Sequence, residues 1–273
     1  MRISINTSKW YSGFWAALLF FTRLPFWRIY QPPKEAYQSV VEYWPLTGWL
    51  TASVMASIIY FGSMVFPFSI ALILAWLARL LLTGALHEDG LVDFFDGVGG
   101  GGNNRQRILD IMKDSHMGAF GLLALIVYAG LLFSALYMLG PFYAALVVLA
   151  ADPFSKMIAA QITQLLPYAR TEEQSKAHNL YRRFTVGAGI SLFAQGTLPM
   201  LPLVLTYLSI PQLSLRWDLL IFMPCLVMFA LYMLMAQRLR GYTGDCCGAV
   251  FLLVELSFYL TMSALVYTPY TPM

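Results

Sequence analysis

Asp89, Asp93 and Asp96 stand at i, i+4 and i+7 in the segment His87-Glu88-Asp89-Gly90-Leu91-Val92-Asp93-Phe94-Phe95-Asp96-Gly97. On a helix each residue advances about 100°, so all three carboxylates fall on one face within about 60°. Three like charges so aligned repel one another, and unpaired they raise each other's pKa or disrupt the helix. Something cationic must compensate them. Beyond the glycine run at 99–102, which breaks the helix and permits a turn, a second helix over about 104–116 presents Asp110 and Asp114, again at i and i+4. Folding the two helices together would bring five carboxylates into one pocket. A hard divalent cation bound through oxygen is the natural counterion, and Mg²⁺ usually arrives with substrate phosphates. Arg105, Arg107 and Lys113, interleaved on the second helix, suit phosphate oxygens that a metal does not take. His87 is open to three roles: orienting an aspartate, acting as a base, or capping the preceding helix. A solvated hairpin of mixed charge would account for the three cations, but not for three aspartates aligned against phenylalanines.

A second polar constellation runs Arg238-Leu-Arg240-Gly241-Tyr-Thr243-Gly244-Asp245-Cys-Cys-Gly248. Its glycines allow close backbone approach, and exposed N–H groups at a helix start suit an anion. Read alone, it is an ordinary glycine-rich turn with Asp245 as N-cap. Elsewhere Asp152, Lys156 and Glu255 interrupt strongly apolar stretches. Asp152 and Lys156, one turn apart, are expected to neutralise each other, and all three to face the interior of a helical bundle.

The elements that must position these groups are membrane helices. Of 273 residues, 59% are hydrophobic and 11% charged, against about 25% charged in soluble domains. Seven stretches approach the roughly 20 apolar residues that cross a bilayer: about 43–66, 68–86, 118–139, 142–166, 184–208, 217–237 and 247–268. Pro67, Gly140-Pro141 and Pro211 punctuate them. Arg2, Lys9, Arg23, Arg28 and Lys34 precede the first stretch; Arg105, Arg107 and Lys113 lie between the second and third; Arg170, Lys176, Arg182 and Arg183 between the fourth and fifth; Arg238 and Arg240 between the sixth and seventh. The opposite loops carry only Arg216, while Arg79 and Lys156 sit inside spans. The positive-inside rule then puts the N-terminus and the long loops in the cytoplasm and the C-terminus outside. The apolar stretch from Phe14 to Phe21 is too short to span and reads as an interfacial helix, with Trp10, Trp15 and Trp27 at headgroup level. No Lys/Arg run suggests a nucleic-acid surface, and Cys225, Cys246 and Cys247 offer neither a disulfide framework nor zinc-ligand spacing. The expected fold is an all-α, polytopic transmembrane bundle, a single integral membrane domain over 1–273 with a cytoplasmic catalytic hairpin at 88–117.

An ordered set of short motifs runs through the chain: Phe21-Thr22-Arg23-Leu24-Pro25; Pro45-Leu46-Thr47-Gly48; His87 to Gly97; Ile111-Met112-Lys113-Asp114-Ser115 with Gly118; Tyr168-Ala169-Arg170; and Thr243-Gly244-Asp245 with Gly248-Ala249. This set resembles the cobalamin synthase family of adenosylcobinamide-GDP ribazoletransferases. Two positions depart from the family pattern: Lys156 follows Ser155 where the family often has arginine, and Glu88 replaces a usually apolar residue. The resemblance implies Mg²⁺-dependent joining of adenosylcobinamide-GDP and α-ribazole to give adenosylcobalamin and GMP, with α-ribazole 5′-phosphate processed likewise. It implies a bacterial inner-membrane enzyme, whether alone, as a homo-oligomer or in a complex with other cobamide-assembly enzymes. On this reading Asp89, Asp93, Asp96 and Asp114 hold the metal, Asp110 assists, and an aspartate or His87 takes a proton. Arg105, Arg107, Lys113, Ser115, Arg240, Thr243 and Asp245 meet substrate. The nearest rival is a CDP-alcohol phosphotransferase, whose D-G-x-x-A-R start is absent, since Leu91-Val92-Asp93 follows Asp89-Gly90. A transporter would place its ionisable groups near the midplane, often in inverted repeats, whereas here the carboxylates gather at one end.

Overall fold

A computed structural model describes residues 11–170, 181–209 and 215–267. Arg2, Lys9, Trp10, Lys176, Pro211 and the end of the last apolar stretch lie outside the described residues. The elements are α1 (Ser12–Phe21), 3-10 helices at Phe26–Arg28 and Lys34–Tyr43, α2 (Trp44–Gly62), α3 (Phe68–Thr83), α4 (Leu86–Gly100), α5 (Arg105–Ile111), α6 (Ala119–Ala160), α7 (Ile162–Leu165), α8 (Val186–Thr197), α9 (Leu201–Leu208), α10 (Trp217–Arg238) and α11 (Gly244–Val266). Among the described residues there is no strand, only an isolated parallel bridge between Tyr168 and Tyr242.

Four helical stretches are long and apolar enough to cross a membrane: Ala119–Leu165, Val186–Leu208, Trp217–Arg238 and Gly244–Val266. The pair α3 and α4 would make a fifth if taken together across its 89° bend. This is fewer than the seven stretches read from the sequence, and one cause is Gly140. Its backbone (φ 72, ψ 165) is non-helical, so α6 is two segments across a kink. Before the kink, Phe133 packs on Trp76 and Tyr137 on Phe68 of α3. After it, Phe142 packs on Tyr60, and Asp152 accepts from Thr51 of α2 at 2.7 Å. The chain therefore reverses at Gly140, with both free ends of α6 at the same end of the bundle. Polar-face alternation of the kind read from Lys and Arg is kept: Arg182 pairs with Glu42, Arg105 reaches Leu239 and Ala169, and Arg238 reaches Val98 and Gly102, all at that end. Arg216 pairs instead with Asp218 at the start of α10.

α11 is the central helix, enclosed by α4, α6 and α10, and most of its length from Cys246 to Met262 is buried. α10 buries only Leu220, Pro224 and Met235 and exposes Ile221, Phe222, Leu226 and Phe229. An outer helix that shows large apolar side chains suits lipid rather than water. α1, too short to cross, packs on the Lys34–Tyr43 helix, with Trp15 against Phe26 and Tyr30 and Trp27 half exposed.

The interior holds two polar networks. Arg79 of α3 donates through Nη1 to both oxygens of Glu255 (2.9 and 2.7 Å), and through Nη2 to Glu88 (3.4 Å) and the Tyr128 hydroxyl (2.9 Å). Tyr259 also donates to Glu255 at 2.8 Å. Lys156 donates to Asp152 and to Thr51, and its ammonium lies 4.6 Å from the centroid of Phe251. Asp152 and Lys156 thus neutralise each other as their one-turn spacing suggested, and Glu255 faces inward. Arg79 is the partner that the sequence left unmatched, and it accounts for Glu88. Removing one member of a buried, hydrogen-bonded ion pair strands the other. Arg79→Ala is expected to cost about 3–5 kcal/mol, read as a lower thermal midpoint in detergent; a midpoint equal to that of wild type would show the network to be dispensable.

Candidate active site

Gly84 (φ 66) and Ala85 (φ 56) are consecutive left-handed residues, and they turn the chain so that α4 leaves α3 at 89° and runs across the end of the bundle. α4 ends at Gly100, inside the glycine run, and the turn follows at residues 101–104 with Gly102 left-handed (φ 59), as the sequence suggested. Other glycines let neighbouring elements approach. A Cβ on Gly90 would lie 2.9 Å from the Asp245 carbonyl oxygen and 3.1 Å from its Cα, and one on Gly248 would lie 3.2 Å from the His87 backbone. α4 and α11 therefore touch backbone to backbone. That contact sets Asp89 and Asp93 beside Asp245.

Asp93 is half buried, and burial is the largest influence on its carboxyl. Asp245, Asp89 and Asp96 push in the same direction, with Arg170 opposing, so its pKa is driven up from an ordinary 3.8 to about 7. Asp89 is exposed at the rim. Asp245, in the first turn of α11, meets Arg170 Nη2 at 3.4 Å and accepts from the Thr243 hydroxyl at 3.2 Å. Thr243 is the N-cap of α11, its oxygen accepting from Cys246 N–H at 3.3 Å. Arg170 reaches this place because Ala169 N–H donates to the Tyr242 carbonyl (2.8 Å) and Tyr242 N–H to the Pro167 carbonyl (2.9 Å). The segments holding Tyr168-Ala169-Arg170 and Thr243-Gly244-Asp245 are thereby zipped together. The sequence offered Arg170 only as a cytoplasmic charge and a motif member; its place at the acidic cluster is a long-range result.

Several predicted residues have other surroundings. Asp96 is buried, and its two oxygens accept the backbone N–H groups of Gly118 (2.7 Å) and Gly121 (2.8 Å) at the start of α6. It caps a helix whose dipole favours a carboxylate there. Asp110 and Asp114 do not join the cluster. α5 ends at Ile111 rather than near 116, although Asp114 N–H still bonds the Asp110 carbonyl at 3.2 Å, and the two carboxylates make separate contacts. Asp110 accepts from the Gln106 side chain at 2.8 Å, and Asp114 pairs with His116 at 2.6 Å, which holds its carboxyl below the usual range. Arg105 is not aimed at a ligand: its Nε donates to the Leu239 carbonyl and its Nη2 to the Ala169 carbonyl, both at 2.6 Å. It clamps α5 to the two site segments. The Arg107, Lys113 and Ser115 side chains are exposed on the hairpin, and Arg240 is exposed with a left-handed backbone (φ 51). His87 is buried, its ring near parallel to Phe21 and Trp44 and edge-on to Phe251.

Among the described residues no three His, Cys, Asp or Glu side chains converge as a ready metal cage. The donors present still fit Mg²⁺, which is held through one or two carboxylates, waters and substrate phosphates rather than by an all-protein cage. Asp89 and Asp245 supply two such carboxylates, and Asp93, its pKa raised first by burial and then by these neighbours, adds a third carboxyl beside them.

Fold and site together define a multi-pass helical membrane protein with an acidic crevice at one end. The cobalamin-5-phosphate synthase family model matches residues 13–263, and the chain belongs to that family. It is accordingly an enzyme of cobalamin biosynthesis, a transferase, which removes the phospholipid-synthase and transporter readings. Similar proteins named adenosylcobinamide-GDP ribazoletransferase occur in Vibrio parahaemolyticus (34% identical, covering 92% of this chain and 91% of the relative), Leptospira interrogans (31%, 92% and 94%) and Leptothrix cholodnii (36%, 90% and 93%). No solved structure matches.

Two outcomes follow from this geometry. An unfolded aspartate titrates near 3.8 and the folded Asp93 at about 7. Between those values the unfolded chain has released a proton that the folded one retains, so stability falls as pH rises through the interval. In Asp93→Asn that decline is expected to shrink, measured as the thermal midpoint in detergent with a chelator present; an unchanged pH profile would contradict the placement. Gly90→Ala is expected to push α4 off α11 and reduce turnover on the order of 100-fold with helical content intact by circular dichroism.

Proposed function

We propose that the protein joins adenosylcobinamide-GDP to α-ribazole, releasing GMP and forming adenosylcobalamin, and that α-ribazole 5′-phosphate is accepted in the same way. The observation that carries this reading is the cluster of Asp89, Asp93 and Asp245 with Arg170 in the crevice between α4 and α11. The names of the relatives support the substrate pair. The nucleoside's hydroxyl oxygen forms the new bond to the phosphorus that bears the cobinamide, and the bond from that phosphorus to GMP breaks.

Asp89 and Asp245 would hold Mg²⁺ together with the diphosphate. The ion, when bound, would neutralise charge developing on the transferring group and on the leaving GMP. Asp93 lies between these carboxylates and is the group placed to take the hydroxyl proton, since a base works best when its pKa is near the operating pH. Arg170 and the N–H groups at the start of α11 face the same crevice and would grip phosphate oxygens, a helix N-terminus being suited to an anion. Arg107, Lys113 and Arg240, all exposed, would add positive field. Asp96 acts at a distance by capping α6 and fixing α4, and Asp110 and Asp114 are left out of the ligand set. We place the site on the cytoplasmic face of a bacterial inner membrane, following the distribution of cations.

Detergent-purified protein, supplied with both substrates and Mg²⁺, is expected to yield GMP and adenosylcobalamin by mass spectrometry, and to stop when EDTA is added. Asp89→Ala and Asp93→Ala are each expected to lower GMP release on the order of 100-fold or more, with folding retained. Normal turnover in either variant would remove that residue from the site, and turnover undiminished by chelation would remove the metal.

A further inference from the structure

Beside the acidic cluster is a pocket of about 110 Å³, lined on its apolar side by Phe20, Phe21, Val41, Trp44 and Tyr181, with His87, Asp89 and Asp245 among the remaining walls. Phosphoryl transfer makes no use of the apolar side. Three rings there lie nearly parallel: Phe21 and Trp44 within 8°, Phe21 and His87 within 9°, Trp44 and His87 within 13°. His87 is 3% exposed, and its Nε2 is buried without a hydrogen-bond partner. A core histidine packed among aromatic rings accounts for the stacking but not for the stranded nitrogen. Leaving a buried polar atom unsatisfied is costly, and an apolar ring of the same shape would avoid that cost.

We infer that this pocket receives the flat nitrogen heterocycle of the nucleoside substrate, lying along the Phe21, Trp44 and His87 planes with its unsubstituted ring nitrogen accepting a hydrogen bond from His87 Nε2. The inference rests on the function proposed above and names the part of the site that selects the base. An N-glycosylated benzimidazole-type ring has one in-plane lone pair left for a wall in which two ring nitrogens, His87 Nε2 and Trp44 Nε1, are buried without a partner. At about 110 Å³ the pocket is smaller than the apolar cavity of about 150 Å³ that accommodates benzene, so it takes the edge of the bicycle, and the rest with its ribose projects toward Asp89 and Asp245. His87 thereby becomes a specificity-determining residue rather than the proton acceptor.

Equilibrium dialysis of the full chain in detergent with 1-methylbenzimidazole and 1-methylindole tests this directly, the second probe replacing the acceptor nitrogen by C–H. Wild type is expected to bind 1-methylbenzimidazole about tenfold more tightly, and the gap to close in His87→Phe. In the same variant the KM for α-ribazole is expected to rise about tenfold with little change in that for adenosylcobinamide-GDP. Equal affinity for the two probes in wild type, a gap that persists in His87→Phe, or displacement of the probe by guanosine and not by α-ribazole would each overturn the inference. The wild-type probe pair decides the matter even if the variant does not fold. Dialysis needs no turnover, so a clear probe preference without GMP release would sink the proposed reaction alone, whereas full turnover without a preference would sink this pocket alone.

Discussion

The arrangement of the acidic cluster depends on one close contact, that of the α4 backbone with the α11 backbone. Gly90 lies against the main chain of Asp245, and Gly248 against that of His87. Any side chain at either position would hold the helices apart, and the acidic residues they carry would face separate regions of water. Held together, they gather carboxylates that each helix alone could not, and burial, with repulsion from Asp245, Asp89 and Asp96 added to it, raises the pKa of Asp93.

The contact is supported from below and from both sides. Arg79 ties α3 to Glu255 on α11 and to Glu88 at the start of α4, so one guanidinium sets the distance between the two helices inside the bundle. Asp96 fixes the other part of α4 by capping α6. Arg105 draws the α5 hairpin onto the Ala169 and Leu239 carbonyls. In a medium without water these polar contacts have few competing partners, which is why charged residues within an apolar chain become architectural. A rigid frame around a partly open carboxylate cluster is what phosphoryl transfer requires, because positioning and electrostatics supply most of its catalysis.

Much of this was legible from the chain alone. The apolar stretches, the one-sided Lys and Arg distribution and the i, i+4, i+7 spacing of Asp89, Asp93 and Asp96 follow from local periodicity and from the cost of putting charge into lipid. The pairing of Asp152 with Lys156 could be read because the partners are one helical turn apart. For Asp110 and Asp114 the spacing was legible but their partners were not: Asp110 accepts from Gln106 and Asp114 pairs with His116.

What the sequence by itself determined is the class of protein, the end of the bundle at which its carboxylates collect, and the family whose motifs it carries, since each is written in local composition and short-range order. Only the tertiary structure decided which carboxylates share a site. Arg170 enters it, Asp245, read from the sequence as a substrate contact, joins Asp89 and Asp93, Asp96 is turned into a helix cap, Arg105 is committed to two carbonyls, and His87 is sealed among aromatic rings. The reason is physical: these assignments depend on contacts between residues far apart in the chain, governed by where glycines let backbones meet, and no periodicity along one segment carries that information.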